Sequence, residues 1–349
     1  MSRKVWLIAG ALLLVVSLLV LAVGACAKPA PAPAQPIELT LSTYDPPPSA
    51  FTVTLQKWAE EVEAAAGGRV KCTLYHSQAL GKSEEHYDMA VTGRADVTKC
   101  APGYTPGRFP LFEVNELPLI FPYSAKSTNL IFQELFEKLP ELQKEFADVK
   151  VLAFVGTTSR QIMNAKRPVR TVEDLKGLKL RAGGATAADT LTALGAVPLA
   201  MPPTEIYTSV ERGTLDGVNW EWEGFSVFRI QELAKYATVV NLNSYVTMYA
   251  MNRQKYDSLP SDIRAIIDKL SGSHLAELAG ENFDKGDAAA YEKVKPVLEI
   301  YELPAAERDI WVKAVRPVWD KWVADREAKG LPARKVLDAA IEVAKKYTK

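Results

Sequence analysis

Arg181 closes the run Gly177-Leu-Lys-Leu-Arg181, and Gly183-Gly184 follows it. Residues 178–181 read as a short strand, the glycine pair as a turn, and residues 185–194 as a helix. Ligands of an α/β sheet bind where its strands end. A guanidinium fork at such a place matches the two oxygens of a carboxylate. Arg160 and Gln161 form a second polar pair after Gly156-Thr-Thr-Ser159. Asn219-Trp220 closes a further strand over residues 217–220, and Trp222 falls on the same side of an extended chain as Trp220. An indole offers a broad apolar wall and one N–H donor. Tyr44 ends the first strand and Tyr104 follows the third, each with a hydroxyl able to bond a ligand. Taken alone, these residues also fit plainer roles: an ion-paired arginine, a core tryptophan, two loop tyrosines. Phe225 and Phe228 read as core.

Catalytic patterns are missing. The three histidines, His76, His86 and His274, form no metal-ligand spacing. There is no nucleophile elbow and no phosphate loop. No catalytic residue, metal or cofactor is assigned.

The elements that would position these groups alternate. Residues 37–42 are a strand, 49–66 an amphipathic helix stopped by Gly67-Gly68, 70–75 a strand, 83–92 a helix, and 95–101 a strand. That order predicts a parallel sheet with right-handed crossovers. A buried linker around Glu116-Leu-Pro118 lies between Pro110 and Pro122. Residues 127–146 read as a helix and 149–156 as a strand, before the pattern repeats through Arg181 and Trp220. Residues 243–251 read as a strand, and the chain after Leu259 is mainly helical. Cys72 and Cys100 fall in strands flanking the first strand on either side. Two strand spacings, roughly 10 Å, exceed the reach of a disulfide.

The 349 residues suffice for two domains, with Lys+Arg and Asp+Glu both at 42. A nucleic-acid binder would carry a basic surplus, so none is expected as partner. Arg3 and Lys4 precede an apolar run over residues 5–23 and then Gly24-Ala25-Cys26, the pattern of an export signal. Val-Gly-Ala-Cys resembles a bacterial lipobox, which implies lipidation of Cys26 and a membrane anchor. A permanent transmembrane anchor is the other reading of the run. Residues 27–36, Ala/Pro-rich, read as a stiff tether.

The order of these motifs resembles the solute receptors of tripartite ATP-independent periplasmic (TRAP) transporters. Gln78-Ala-Leu-Gly81, Gly93-Arg-Ala-Asp96, Glu116-Leu-Pro118, Arg167-Pro168, Asn252 and Leu259-Pro260 stand where the family has similar motifs. The resemblance implies a two-lobe α/β periplasmic-binding-protein fold, type II-like, with crossing strands and a long lobe-spanning helix near residues 262–291. Gly272 and Gly280 are natural bend points in that helix. Lobe one would comprise residues 37–157 plus 246–285, and lobe two 158–245 plus 286–349. A small organic acid is the implied ligand and the TRAP membrane subunits are the implied partners, on the extracytoplasmic side.

The resemblance also assigns roles. It implies that Arg181 pairs with the ligand carboxylate, assisted by Arg160 or Gln161. Some members hold a cation with a glutamine at the position of Gln161 and a Glu-Trp pair; here the pair is Asn219-Trp220, which weakens a hard-cation site. Trp220 stands where sialic-acid-type members have asparagine, and this points to a ligand with an apolar or aromatic body. Pro203 stands where many members place a stacking aromatic. Tyr44 and Tyr104 would close over the ligand from lobe one. A receptor for an ATP-driven importer, an extracytoplasmic hydrolase or lyase, and a sensing receptor are alternative readings of the same residues.

Overall fold

The computed structural model describes residues 35–347. Cys26, the apolar run and all of the tether except Gln35 and Pro36 lie outside the described residues. In chain order the strands are β1 (Ile37–Ser42), β2 (Val70–Tyr75), β3 (Val97–Cys100), β4 (Val149–Gly156), β5 (Gln161–Asn164), β6 (Lys179–Ala182), β7 (Val197–Ala200), β8 (Gly217–Trp220), β9 (Tyr236–Val239), β10 (Val246–Asn252) and β11 (Glu299–Glu302). They form two sheets, of order β2-β1-β3-β10-β4 and β11-β9-β5-β8-β6-β7. Two sheets with helices around them make the two-lobe α/β architecture that the motifs imply.

The first sheet is not purely parallel. β1 and β3 are parallel, but β10 inserts between β3 and β4 and runs antiparallel to both. The sequence of residues 246–252 carries no sign of direction, because a strand buried on both faces reads as one apolar run either way. β5, β7, β9 and β11 are each four residues long, too short to leave a periodic signature. The order β2-β1-β3 keeps Cys72 and Cys100 two strands apart, and both are free thiols.

The chain passes between the sheets twice through extended segments. Residues 157–160 link β4 to β5, and residues 240–245 link β9 to β10. The two segments pair with each other: Thr157 N–H donates to Tyr245 O, Arg160 N–H to Asn243 O, and Leu242 N–H to Arg160 O. All of residues 157–160 are buried, so these bonds satisfy backbone groups that water cannot reach.

The long helix is broken where one continuous helix over 262–291 is expected. Helix Ser261–Lys269 ends, and Gly272 begins the next helix, Ser273–Val294, at φ +59° and ψ −132°. That backbone conformation suits glycine alone. Gly280 lies inside the uninterrupted second helix. It lets the backbone of Lys126 approach, and a Cβ there would stand 2.6 Å from Lys126 N. Helix Ser273–Val294 also caps a helix on each side. Asp284 accepts from Ala125 N–H at 2.7 Å and from Ser124 Oγ–H at 2.7 Å, at the start of helix Ala125–Lys138. Asp287 accepts from Glu223 N–H at 2.9 Å, in the first turn of helix Trp222–Val227. Each carboxylate satisfies helix N–H groups that lack an intrahelical partner. The expected helix over 127–146 is likewise two helices, Ala125–Lys138 and Pro140–Glu145. Pro140 opens the second, because it cannot donate to the ladder of the first.

Candidate functional site

The residues singled out from the sequence converge because of strand direction. β6 and β8 are parallel, so Arg181 and Trp220 stand at neighbouring carboxyl ends. β5 runs antiparallel to β8, which brings its start, and Arg160 just before it, to the same edge. In the other sheet Tyr44 and Asp45 follow β1, Tyr104 follows β3, and Tyr245 precedes the antiparallel β10. The two edges enclose a cavity of about 30 Å³. Arg160, Arg181, Trp220, Tyr44 and Tyr104 line it, as does Pro203.

Arg181 is buried, with 1% of its surface exposed. Its Nε donates to Met201 O at 3.2 Å and its Nη2 to Tyr104 Oη at 3.0 Å. Its guanidinium carbon lies 5.3 Å from the Trp220 ring centroid. Arg160 is equally buried; its Nε donates to Glu221 Oε2 at 3.2 Å, and the guanidinium rests 4.5 Å over the Tyr245 ring. In each arginine the Nη1 atom has no hydrogen-bond partner among the described residues. Both Nη1 atoms lie against Gly183, 2.8 Å (Arg160) and 3.4 Å (Arg181) from where a Cβ would stand. A buried charged donor without an acceptor is costly, so this is the place in the cavity that calls for an anion.

Sequence reasoning missed several cavity residues. Lys99 donates to Asp45 Oδ2 at 3.0 Å and to Tyr44 Oη at 2.5 Å, with both Lys99 and Asp45 buried. A lone lysine inside the apolar-flanked strand 95–101 was the available signal, since such a position is normally core. Glu221 and Glu223 flank Trp222 and were hidden by it. Burial pushes the Glu223 carboxyl up to about 8, with Glu221, Asp45 and Asp287 adding to the rise and the Ala50 N–H bond opposing it. Its Oε1 accepts from Ala50 N–H at 2.7 Å, at the start of helix Ala50–Ala65. Phe228, expected in the core, lines the cavity and stacks on Trp220 with centroids 5.3 Å apart. Phe225 is core.

Three singled-out residues are not brought to the cavity. Gln161 spends its amide on the chain crossing: Oε1 accepts from Val240 N–H and Asn241 N–H, and Nε2 donates to Ser159 O and Asn241 Oδ1. It braces a turn in which Asn241 has φ +49°. Asn219 is buried and its amide donates to Gln161 O. Trp222 packs edge-on against Tyr291 in the hydrophobic core. Adjacent residues of a strand face opposite sides, so Trp220 at the cavity sends Asn219 elsewhere. Trp222 opens a helix, and the extended-chain spacing that would align it with Trp220 does not apply.

The charges of the cavity can be paired off. Lys99 meets Asp45 and Arg160 meets Glu221, while burial raises the Glu223 carboxyl to about 8. Arg181 meets only a hydroxyl and a carbonyl. The Nη1 atom of each arginine is left without an acceptor among the described residues. Among the described residues no group of three or more His, Cys, Asp and Glu could hold a metal ion. None of the described helices is long and apolar enough to cross a membrane.

The family model of bacterial extracellular solute-binding protein, family 7, matches residues 41–325. The chain belongs to this family. It is 30% identical to a TRAP solute-binding protein from Rhodoferax ferrireducens T118 solved with copurified benzoate, with TM-score 0.85, covering 89% of this chain and 98% of that one. It is also 30% identical to a TRAP periplasmic solute-binding protein from Bordetella bronchiseptica solved with (R)- and (S)-mandelate, with TM-score 0.82, covering 89% and 99%. The C4-dicarboxylate-binding periplasmic protein DctP of Rhodobacter capsulatus is 28% identical over 316 residues, 88% of this chain and 93% of that protein. The chain is thus an extracytoplasmic solute receptor of the TRAP type that binds organic acids, and its family is one of transport receptors rather than enzymes.

Proposed function

We propose that this receptor takes a monocarboxylate with an aromatic or otherwise flat apolar body. The observation that carries the reading is the pair of buried guanidinium Nη1 atoms at one end of the cavity with no acceptor among the described residues. Lys99, the other lining cation, is already paired with Asp45, so a second carboxylate would be buried without a partner charge, which is costly. Arg181 would hold the acid group with its fork, with Arg160 beside it. Trp220, Phe228, Tyr44 and Tyr104 would cover the body. The benzoate and mandelate of the two solved relatives are acids of this kind.

A cavity of about 30 Å³ has room for little more than a water molecule. Binding therefore involves opening of the cleft, and closure would be a population shift driven by contacts to both sheet edges. The lobes that move would be residues 37–157 plus 246–285 and residues 158–245 plus 286–349, with the closed receptor handing its ligand to the TRAP membrane subunits. Lipidation of Cys26 would tether it to the membrane; a Cys26→Ser chain that fractionates with the membrane as the parent does would overturn that part.

Calorimetry with a panel of aromatic and aliphatic mono- and dicarboxylates tests the ligand class. Benzoate-like acids should bind and succinate-like acids should not. A charge-assisted bond contributes about 1.5–3 kcal/mol, so Arg181→Ala should weaken binding at least about tenfold. Arg181→Lys should not restore it, because the planar fork is lost. Unchanged affinity in Arg181→Ala would sink the assignment.

A further inference from the structure

The wall opposite the arginines carries a second polar feature that the acid group leaves unused. Lys99 sits in β3, with 2% of its surface exposed, and faces the cavity beside Asp45. Its ammonium lies 4.0 Å from the ring centroids of both Tyr44 and Phe51. It donates to Asp45 Oδ2 at 3.0 Å and Tyr44 Oη at 2.5 Å. Those two oxygens account for two of its three N–H bonds. Asp45 is fixed in turn by the Thr43 hydroxyl, which donates to the same Oδ2 at 3.0 Å.

A buried ion pair adds little to stability compared with apolar side chains of the same volume. Packing alone therefore gives no reason for a lysine here. Between Lys99 and the arginines stand aromatic rings: Tyr44 and Tyr104 have centroids 5.9 Å apart, Tyr104 and Tyr245 6.1 Å apart. The cavity thus runs from an anion seat on one sheet edge, past an aromatic middle, to a charge-balanced donor on the other.

We propose that Lys99, held by Asp45 and Tyr44, is a specificity-determining subsite that reads a neutral oxygen, a hydroxyl or carbonyl, on the part of the ligand remote from its carboxylate. The inference rests on the monocarboxylate reading and narrows it. Asp45 already balances Lys99, so a second carboxylate is excluded from this end while an uncharged acceptor is welcome. A ligand lacking the oxygen would close the cleft over an ammonium deprived of one partner. Sites built to hydrogen-bond a substrate hydroxyl discriminate strongly against analogues without it.

The test is calorimetry on the full receptor with paired acids: benzoate against 3- and 4-hydroxybenzoate, and phenylacetate against its ring-hydroxylated forms, with terephthalate as the dianion. In the parent chain at least one hydroxylated acid should bind about tenfold or more tightly than its partner, the scale of one hydrogen bond to a charged group. Terephthalate should bind more weakly than benzoate. In Lys99→Met the ratio within each pair should fall to near one. Equal affinities within every pair in the parent chain would overturn the proposal, and so would a preference that survives Lys99→Met. The first comparison needs no variant, so a Lys99→Met chain that fails to fold leaves the proposal open to refutation. If no aromatic acid binds at all, the monocarboxylate reading falls and takes the subsite with it; if they bind without regard to the hydroxyl, only the subsite falls.

Discussion

Arg160 and Arg181 are separated by 20 residues in the chain, yet their unpartnered Nη1 atoms share one small space. That space exists because residue 183 has no side chain. In Gly183→Ala the new Cβ would stand 2.8 Å from Arg160 Nη1 and 3.4 Å from Arg181 Nη1. A guanidinium end can swing away, so the fold should tolerate the change while the anion seat is lost. We expect acid binding to weaken by about an order of magnitude, the scale of one charge-assisted bond, with a melting temperature close to the parent's. Calorimetry and a thermal melt on the same sample check both halves. Glu223 supplies a second residue-scale effect. Its carboxyl titrates at about 8, chiefly because it is buried. Below that pH it is mostly neutral; above it, the new negative charge opposes a carboxylate ligand. Affinity should therefore fall as pH rises from 7 to 9, and Glu223→Gln should flatten the profile. A parent profile already flat over that interval would refute the role.

At the scale of elements, helix Ser273–Val294 is tied to its neighbours by side chains at their N-termini. Asp284 holds helix Ala125–Lys138, beside β4, and Asp287 holds helix Trp222–Val227, which follows β8 of the other sheet. Two acidic residues three apart lie on one helix face, so a single face serves both helices. The sequence shows the acids, but nothing local distinguishes a carboxylate that caps another helix from one in solvent. Asp284→Ala removes the acceptor for Ala125 N–H and the Ser124 hydroxyl. Loss of a helix cap costs about 0.5–2 kcal/mol. Chemical denaturation should show a loss of that size, with Asp284→Asn retaining part of the stability. An unchanged denaturation midpoint in Asp284→Ala would show that the cap contributes nothing.

For the whole molecule, groups that follow strands of the two sheets meet: Tyr104 accepts from Arg181, and Glu223 accepts at the start of helix Ala50–Ala65. Tyr104, which lines the cavity, also walls a groove of about 330 Å³ lined by Gly183, Gly184, Ala188, Met201 and Pro202. Burying so many acids makes stability depend on pH. Burial is the largest cause raising Glu116 and Glu145 to about 7 and Glu223 to about 8. These carboxyls keep protons in the folded chain that the unfolded chain has lost, so the folded state loses stability as pH rises through 7 and 8. The melting temperature should be lower at pH 8.5 than at pH 6.5. The lowered pKa of His86, also a consequence of burial, acts with the opposite sign only below its ordinary value near 6.5. A melting temperature that rises over the interval would contradict the assignment.

The sequence by itself determined the main helices and longer strands, the family motifs with the two-lobe architecture that their resemblance implies, and the arginine at a strand end. Periodicity, glycine and proline punctuation and strand-end chemistry are local properties, and they are written in consecutive residues. Arg181 stood out by its strand end; Tyr44, Tyr104, Arg160 and Trp220 were singled out with the help of the family resemblance, and all five line the cavity. Tertiary structure alone decided that Gln161 braces a chain crossing, that Trp222 joins the core, and that Lys99 faces the cavity with Asp45. It also decided the antiparallel insertion of β10 and the break at Gly272. Each of these depends on which distant segment lies opposite, and a hydrogen-bond partner, a strand direction or an ion pair exists only once two remote stretches of chain have met.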